Sequence, residues 1–155
     1  VLQDKLTDSR LENLNAIVYL ALKRVGRGEK SIPLSMIQYK TIIDTALKNN
    51  VSIGFDSCSA YKFLQSVEGN KDYKHFEMMT EPCESTLFSS YINVDGKFYW
   101  CSFAENEGEG IDVVNCKDFV EDVWNHPKTI EFRNRLLGTT KQNKLNCREC
   151  PLFKI

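Results

Sequence analysis

The sequence predicts an α/β first half joined to an α+β second half. Three observations predict it. Two short apolar runs, residues 16–22 and 51–55, flank a helical pattern; an Asp95-Gly96 dipeptide separates two aromatic-rich runs; and two capped helical patterns follow that dipeptide.

In chain order, Asp8 or Ser9 caps a short helix through Leu14. Residues 16–22 are continuously apolar, the pattern of a strand covered on both faces. Lys23, Arg24, Gly26, Arg27 and Gly28 then form a basic loop. Pro33 suits a first helical turn, and Met36, Ile37, Ile43, Ala46 and Leu47 recur near the helical period before Asn49 and Asn50 stop it. A second strand over 51–55 completes a βαβ unit, whose right-handed crossover makes the strands parallel neighbours. Two parallel strands are too few for a stable sheet, so this half is expected to pack on further strands or to be the end of a (β/α) barrel. Residues 61–67 continue as a helix, and 68–81, polar and rich in lysine and glutamate, bridge to a second unit.

From Cys83 the texture changes. Residues 88–94 and 97–103 flank Asp95-Gly96, which predicts a hairpin with a tight two-residue turn. Residues 105–110 are an acidic, glycine-rich loop; Asn115 or Asp118 then caps a helix with Phe119, Val120, Val123 and Trp124 on one face. Pro127 opens another helix carrying Ile130, Phe132, Leu136 and Leu137, which Gly138 is expected to end. The remaining tail carries Cys147 and Cys150.

Lys and Arg total 20 against 21 Asp and Glu, a net charge of −1, and neither sign forms a long run. Neither nucleic acid nor a charged membrane surface is expected as a partner. No apolar stretch reaches spanning length, and a cytoplasmic location is expected. The first residue is Val1 rather than Met, from which upstream sequence is expected.

Six cysteines are many for a reducing compartment, where clustered thiols bind metal or do redox chemistry more often than they form disulfides. Cys147 and Cys150 form a Cys-x2-Cys knuckle, which lets two thiolates face one metal from a single turn. Cys83 precedes the hairpin, and Cys101 is expected in its second strand, where the turn would bring the two sulfurs together. Four soft ligands suit an iron-sulfur cluster or zinc and exclude magnesium or calcium. Phe98, Tyr99, Trp100 and Phe103 supply an aromatic shell around Cys101. Cys116 reads as core filler near a helix start, and His75 and His126 as surface or cap residues.

The run Cys83, twelve residues, Gly96, four residues, Cys101 resembles the first motif of the twitch and SPASM modules at the C-terminus of radical S-adenosylmethionine (radical SAM) enzymes. Residues 123–127 and Phe132-Arg133 resemble the helix pair of these modules, and Cys147-x2-Cys150 is similar to the closing pair of the twitch form. The resemblance implies that residues 1–70 are the C-terminal βαβ portion of a partial (β/α) barrel, 71–82 a linker, and 83–155 a hairpin-and-helix module. It further implies one auxiliary [4Fe-4S] cluster on Cys83, Cys101, Cys147 and Cys150. The fuller SPASM pattern places another cysteine six positions after Cys150, beyond Ile155, so one cluster or two is left open.

An intact enzyme of this kind would bind S-adenosylmethionine and a second [4Fe-4S] cluster in the upstream part of the barrel. The radical it generates would abstract a hydrogen from a peptide or small-molecule substrate. The Cys-x3-Cys-x2-Cys motif of that catalytic cluster is absent here, so this chain alone is expected to be inactive. Barrel enzymes carry functional groups at the C-terminal ends of their strands. This makes Lys23, Arg24, Asp56, Ser57 and Cys58 candidates for facing S-adenosylmethionine or substrate. A competing reading is a non-catalytic module in which the four cysteines hold structural zinc. A secreted disulfide domain is a third, weakened by a core large enough to need no staples.

Overall fold

The computed structural model describes residues 2–105, 107–143 and 150–152. The chain opens on α1 (Leu2–Thr7) and a 3-10 turn at Ser9–Leu11. Asp8 caps that turn by accepting from the Arg10 amide, so the expected helix through Leu14 is only a single turn. β1 (Ile17–Tyr19) follows, then α2 (Met36–Lys48), β2 (Ile53–Phe55), α3 (Ala60–Ser66) and α4 (Tyr73–Met78). The last of these lies inside the polar stretch read as a bridge.

β1 and β2 pair in parallel, Ile17 opposite Ile53 and Tyr19 opposite Phe55, with α2 between them in sequence. The βαβ unit is therefore present. The first strand is shorter than its apolar run, and it is not covered on both faces. Ile17 and Ala21 are buried, while Val18 and Leu20 are 61% and 73% exposed. The ladder stops because the next partners are not strand to strand: the Asp56 amide donates to Tyr19 O (3.1 Å), and the Ala21 amide donates to the Asp56 carboxylate.

α2 starts at a capping box rather than at Pro33. Ser35 Oγ accepts from the Gln38 amide (3.3 Å), and Gln38 Oε1 accepts from the Ser35 amide (2.8 Å), so two otherwise unpaired donors are satisfied reciprocally. Its buried face is Tyr39, Ile43 and Ala46, whereas Ile37 is 80% exposed. Asn50, at φ 54°, ends the helix in the left-handed region, and the Val51 amide returns to Ala46 O. Phe55 stacks on Tyr19, Tyr39 and Phe63, which ties both strands to α2 and α3.

Contact clustering divides the chain into one unit that ends at Pro82 and another that begins at Cys83. In the second, β3 (Tyr91–Ile92) and β4 (Lys97–Tyr99) are antiparallel, with Tyr91 opposite Tyr99. The expected two-residue turn is a three-residue loop, 94–96. The Asn93 amide donates to Lys97 O (3.0 Å), the Gly96 amide donates to Asn93 O (3.1 Å), and Gly96 lies at φ 69°. Asn93 selects this loop, since its Oδ1 accepts from both the Asp95 and the Lys97 amides. Cys101 consequently lies past the end of β4 rather than within it.

A third strand, β5 (Ile111–Asp112), pairs with β4 and was not legible in the acidic loop that precedes it. Gly110 permits the approach: a Cβ there would sit 2.7 Å from Lys97 Cβ and 2.7 Å from the Tyr99 ring. Gly110→Ala is accordingly expected to destabilise the second unit by about 1–3 kcal/mol through overpacking, read as a lower thermal midpoint. An unchanged midpoint would show that the strand edge yields freely.

A π-helical turn (Val120–Trp124) is capped by Asp118, whose Oδ1 accepts from the Val120 and Glu121 amides. Only Val123 of that turn is fully buried, and Val120 is 52% exposed. α5 (Pro127–Asn143) begins at the proline as expected but continues through Gly138. A terminating glycine adopts positive φ, which Gly138 does not. Phe132 and Leu136 are buried on α5, with Phe98 beneath the sheet packed edge-on to Phe119 and Trp124. Among the described residues no helix is long and apolar enough to cross a membrane.

Candidate metal centre

Two segments of the second unit carry the first cysteine pair, and the fold ties them together. Ser85, buried and two positions after Cys83, donates its hydroxyl to the carbonyl of Trp100, the residue before Cys101. Thr86 follows at φ 58°, an outlier for a β-branched residue. Its conformation is held from both sides: its amide donates to Ser89 O (2.8 Å), and its carbonyl accepts from Arg133 Nε (2.7 Å). Arg133 also donates to Trp124 O (3.1 Å) and lies 5.1 Å from the centroid of the Trp124 ring. Two residues on, Arg135 donates to the carbonyl of Pro151, next to Cys150. α5 therefore supplies one arginine to the Cys83 segment and another to the Cys150 segment.

Cys83, Cys101 and Cys150 are each half-buried, and each interacts with a neighbouring group. Cys147 lies outside the described residues. Among the described residues, no three Cys, His, Asp or Glu side chains form a group that could hold a metal ion. Of the aromatic shell, Phe98 and Tyr99 are buried, Trp100 packs on Phe132 at 5.5 Å, and Phe103 is 39% exposed.

Residues 83–151 match the family model of the SPASM domain, an iron-sulfur cluster-binding domain. The match fits the C-terminal SPASM module of a radical SAM enzyme. It begins on Cys83 and takes in Gly96, Cys101, Cys147 and Cys150, while leaving out the βαβ unit. No curated protein and no solved structure matches the chain.

The chemistry of the SPASM segment fits the group. Its thiolates are soft ligands suited to iron. Two buried donors in this segment, Trp100 Nε1 and Thr86 Oγ1, have no hydrogen-bond partner. Trp100 adjoins Cys101, and Thr86 lies three positions after Cys83. Sulfur acceptors are what such donors lack, and hydrogen bonds to sulfur tune a cluster's potential. Cys116 lies between β5 and the π-helical turn, half-buried. His75 is exposed on α4, and His126 Nδ1 accepts from the Lys128 amide at the start of α5.

In the first unit the strand-end candidates separate into two kinds. Lys23 and Asp56 come together: Nζ donates to Oδ2 at 3.0 Å, with the lysine side chain 6% exposed and the aspartate 21%. The other carboxylate oxygen accepts from the Ala21 amide and from the amide and hydroxyl of Ser59. Sequence reasoning missed Ser59, although Asp followed three positions later by Ser before a helical run is a local turn signal. Arg24 is exposed and donates to Glu29 O within the basic loop. Ser57 and Cys58 are half-buried in the turn between β2 and α3.

Burial would push the Asp56 carboxyl up, but the Ser59 hydroxyl, the Lys23 ammonium and the Ala21 amide outweigh it and hold it below the usual value. Burial likewise pulls Lys23 down, and Asp56 and Cys58 outweigh it, so the ammonium is held above its usual value. The signs follow from linkage. The Asp56 contribution is present above the ordinary carboxylate pKa of about 4 and is lost as pH falls through the depressed folded value. The Lys23 contribution is present below the ordinary lysine pKa of about 10.4 and is lost as pH rises through the elevated one. Urea midpoints of the first unit should therefore be flat between about pH 5 and 9 and fall on both sides. A midpoint that rises in acid would contradict the pairing.

Proposed function

We propose that the second unit holds one [4Fe-4S] cluster on Cys83, Cys101, Cys147 and Cys150, within the C-terminal part of a radical SAM enzyme that modifies or oxidises a peptide or small-molecule substrate. The observation that carries this reading is the SPASM match, which spans all four cysteines. When bound, such a cluster supplies one-electron transfer. The protein's own residues then have distinct tasks. Ser85, Arg133 and Arg135 hold the backbone segments that present the ligands. Phe98 and Tyr99 exclude water, and Trp100 offers its indole N–H to sulfur.

In the same reading the βαβ unit is the last portion of a partial barrel. Its upstream part would bind S-adenosylmethionine and the catalytic cluster in a reducing, cytoplasmic setting. Of the strand-end residues, Arg24, Ser57 and Cys58 would face S-adenosylmethionine or substrate, with Lys23 and Asp56 positioning the loops that carry them. Anaerobic reconstitution with ferrous iron and sulfide tests the cluster. About four iron and four sulfide per chain, with visible charge-transfer absorption, are expected. A colourless chain holding zinc without sulfide would replace this reading with a structural zinc module.

A further inference from the structure

We propose that Cys58 is a site of covalent oxidation: a thiolate held by the buried ammonium of Lys23, which peroxides convert to the sulfenic acid. The placement begins with topology. Lys23 follows β1 and Cys58 follows β2, and because these strands are parallel neighbours they deliver both residues to the same end of the sheet. The Lys23 side chain is 6% exposed, so its ammonium is satisfied by protein rather than by water. Asp56 is one partner at 3.0 Å, and the Cys58 sulfur is another acceptor of its hydrogen bonds.

Asp56 does not cancel this field. Its Oδ1 is occupied by three donors from Ala21 and Ser59, which spread its charge away from Cys58. Attraction between two charges is mutual, so the thiolate that favours the ammonium of Lys23 is itself favoured by it. Cys58 is also half-buried rather than sealed, as a reactive thiol requires.

The groups facing this thiol are Lys23, Asp56 and, through both of them, the buried phenol of Tyr39. Lys23 and Tyr39 titrate above their usual values, the phenol because of burial, and Asp56 titrates below its own. Across neutral pH Cys58 is thus the member of the cluster whose charge changes. In the oxidation, Sγ attacks one oxygen of hydrogen peroxide, an S–O bond forms, and the O–O bond breaks. Sulfur loses two electrons to the peroxide, and the departing hydroxide takes a proton from solvent to become water. This site is independent of the cluster, and loss of the cluster leaves the inference standing.

The test uses the whole chain and resolves each cysteine by peptide mass spectrometry, with half-buried Cys116 as the internal reference. At pH 7, iodoacetamide should alkylate Cys58 about tenfold faster than Cys116, with a lower pH midpoint. Low hydrogen peroxide with dimedone should label Cys58 and spare Cys116. Lys23→Met should bring the Cys58 rate down to that of Cys116, and Lys23→Arg should largely preserve it. Equal rates at the two cysteines in the unaltered chain would overturn the proposal, as would an unchanged Cys58 rate in Lys23→Met or no dimedone adduct at Cys58. The comparison within the unaltered chain decides even where Lys23→Met fails to fold.

Discussion

Cys101→Ser is expected to abolish iron and sulfide binding in the reconstituted chain, whereas Cys116→Ser should retain both in full. A serine hydroxyl is a hard, weakly acidic donor, and a cluster built on four thiolates loses one of its anchoring bonds outright. The contrast is informative because both cysteines are half-buried in the same unit. Loss of an ordinary side chain would act alike at both positions, while loss of a ligand acts at one. Metal analysis and visible absorption measure it, and equal loss in the two variants would mean that the ligands have been assigned wrongly.

Asp56→Ala should destabilise the first unit by about 3 kcal/mol, read from urea unfolding. The substitution strands the Lys23 ammonium, whose side chain is 6% exposed, and at the same stroke removes the acceptor for the Ala21 and Ser59 amides. Breaking a buried pair from one side typically costs about 3–5 kcal/mol, and the 21% exposure of Asp56 places this case at the lower end. Lys23→Met should cost less, because a carboxylate that keeps its Ala21 and Ser59 donors is not left bare. If the two variants were equally mild, water would have to reach the ammonium freely.

Much of this arrangement was legible in the residues. The βαβ order, the proline at the start of α5, the Asp118 cap and the Asp95-Gly96 reversal each follow from local backbone chemistry, and each is present. What was missed depends on pairs distant in sequence or on one side chain overriding a dipeptide rule. β5 is two residues long and exists because Gly110 lets the chain lie against Lys97 and Tyr99, which no periodicity reveals. Asn93 changed the turn by capturing two amides, and Ser35 took the helix start from Pro33 by trading hydrogen bonds with Gln38. For the candidate site, cysteine spacing located the family, but the arginines that brace it, Arg133 and Arg135, carry no sequence mark of their role.

The bare outer row of β1 has a practical consequence. Val18 and Leu20 stand largely in solvent on a strand that, among the described residues, has β2 as its sole ladder partner. Such a row invites stacking with another copy of itself at high concentration, so samples for spectroscopy or crystallisation should stay clearer and more dilutable with a lysine in place of Val18.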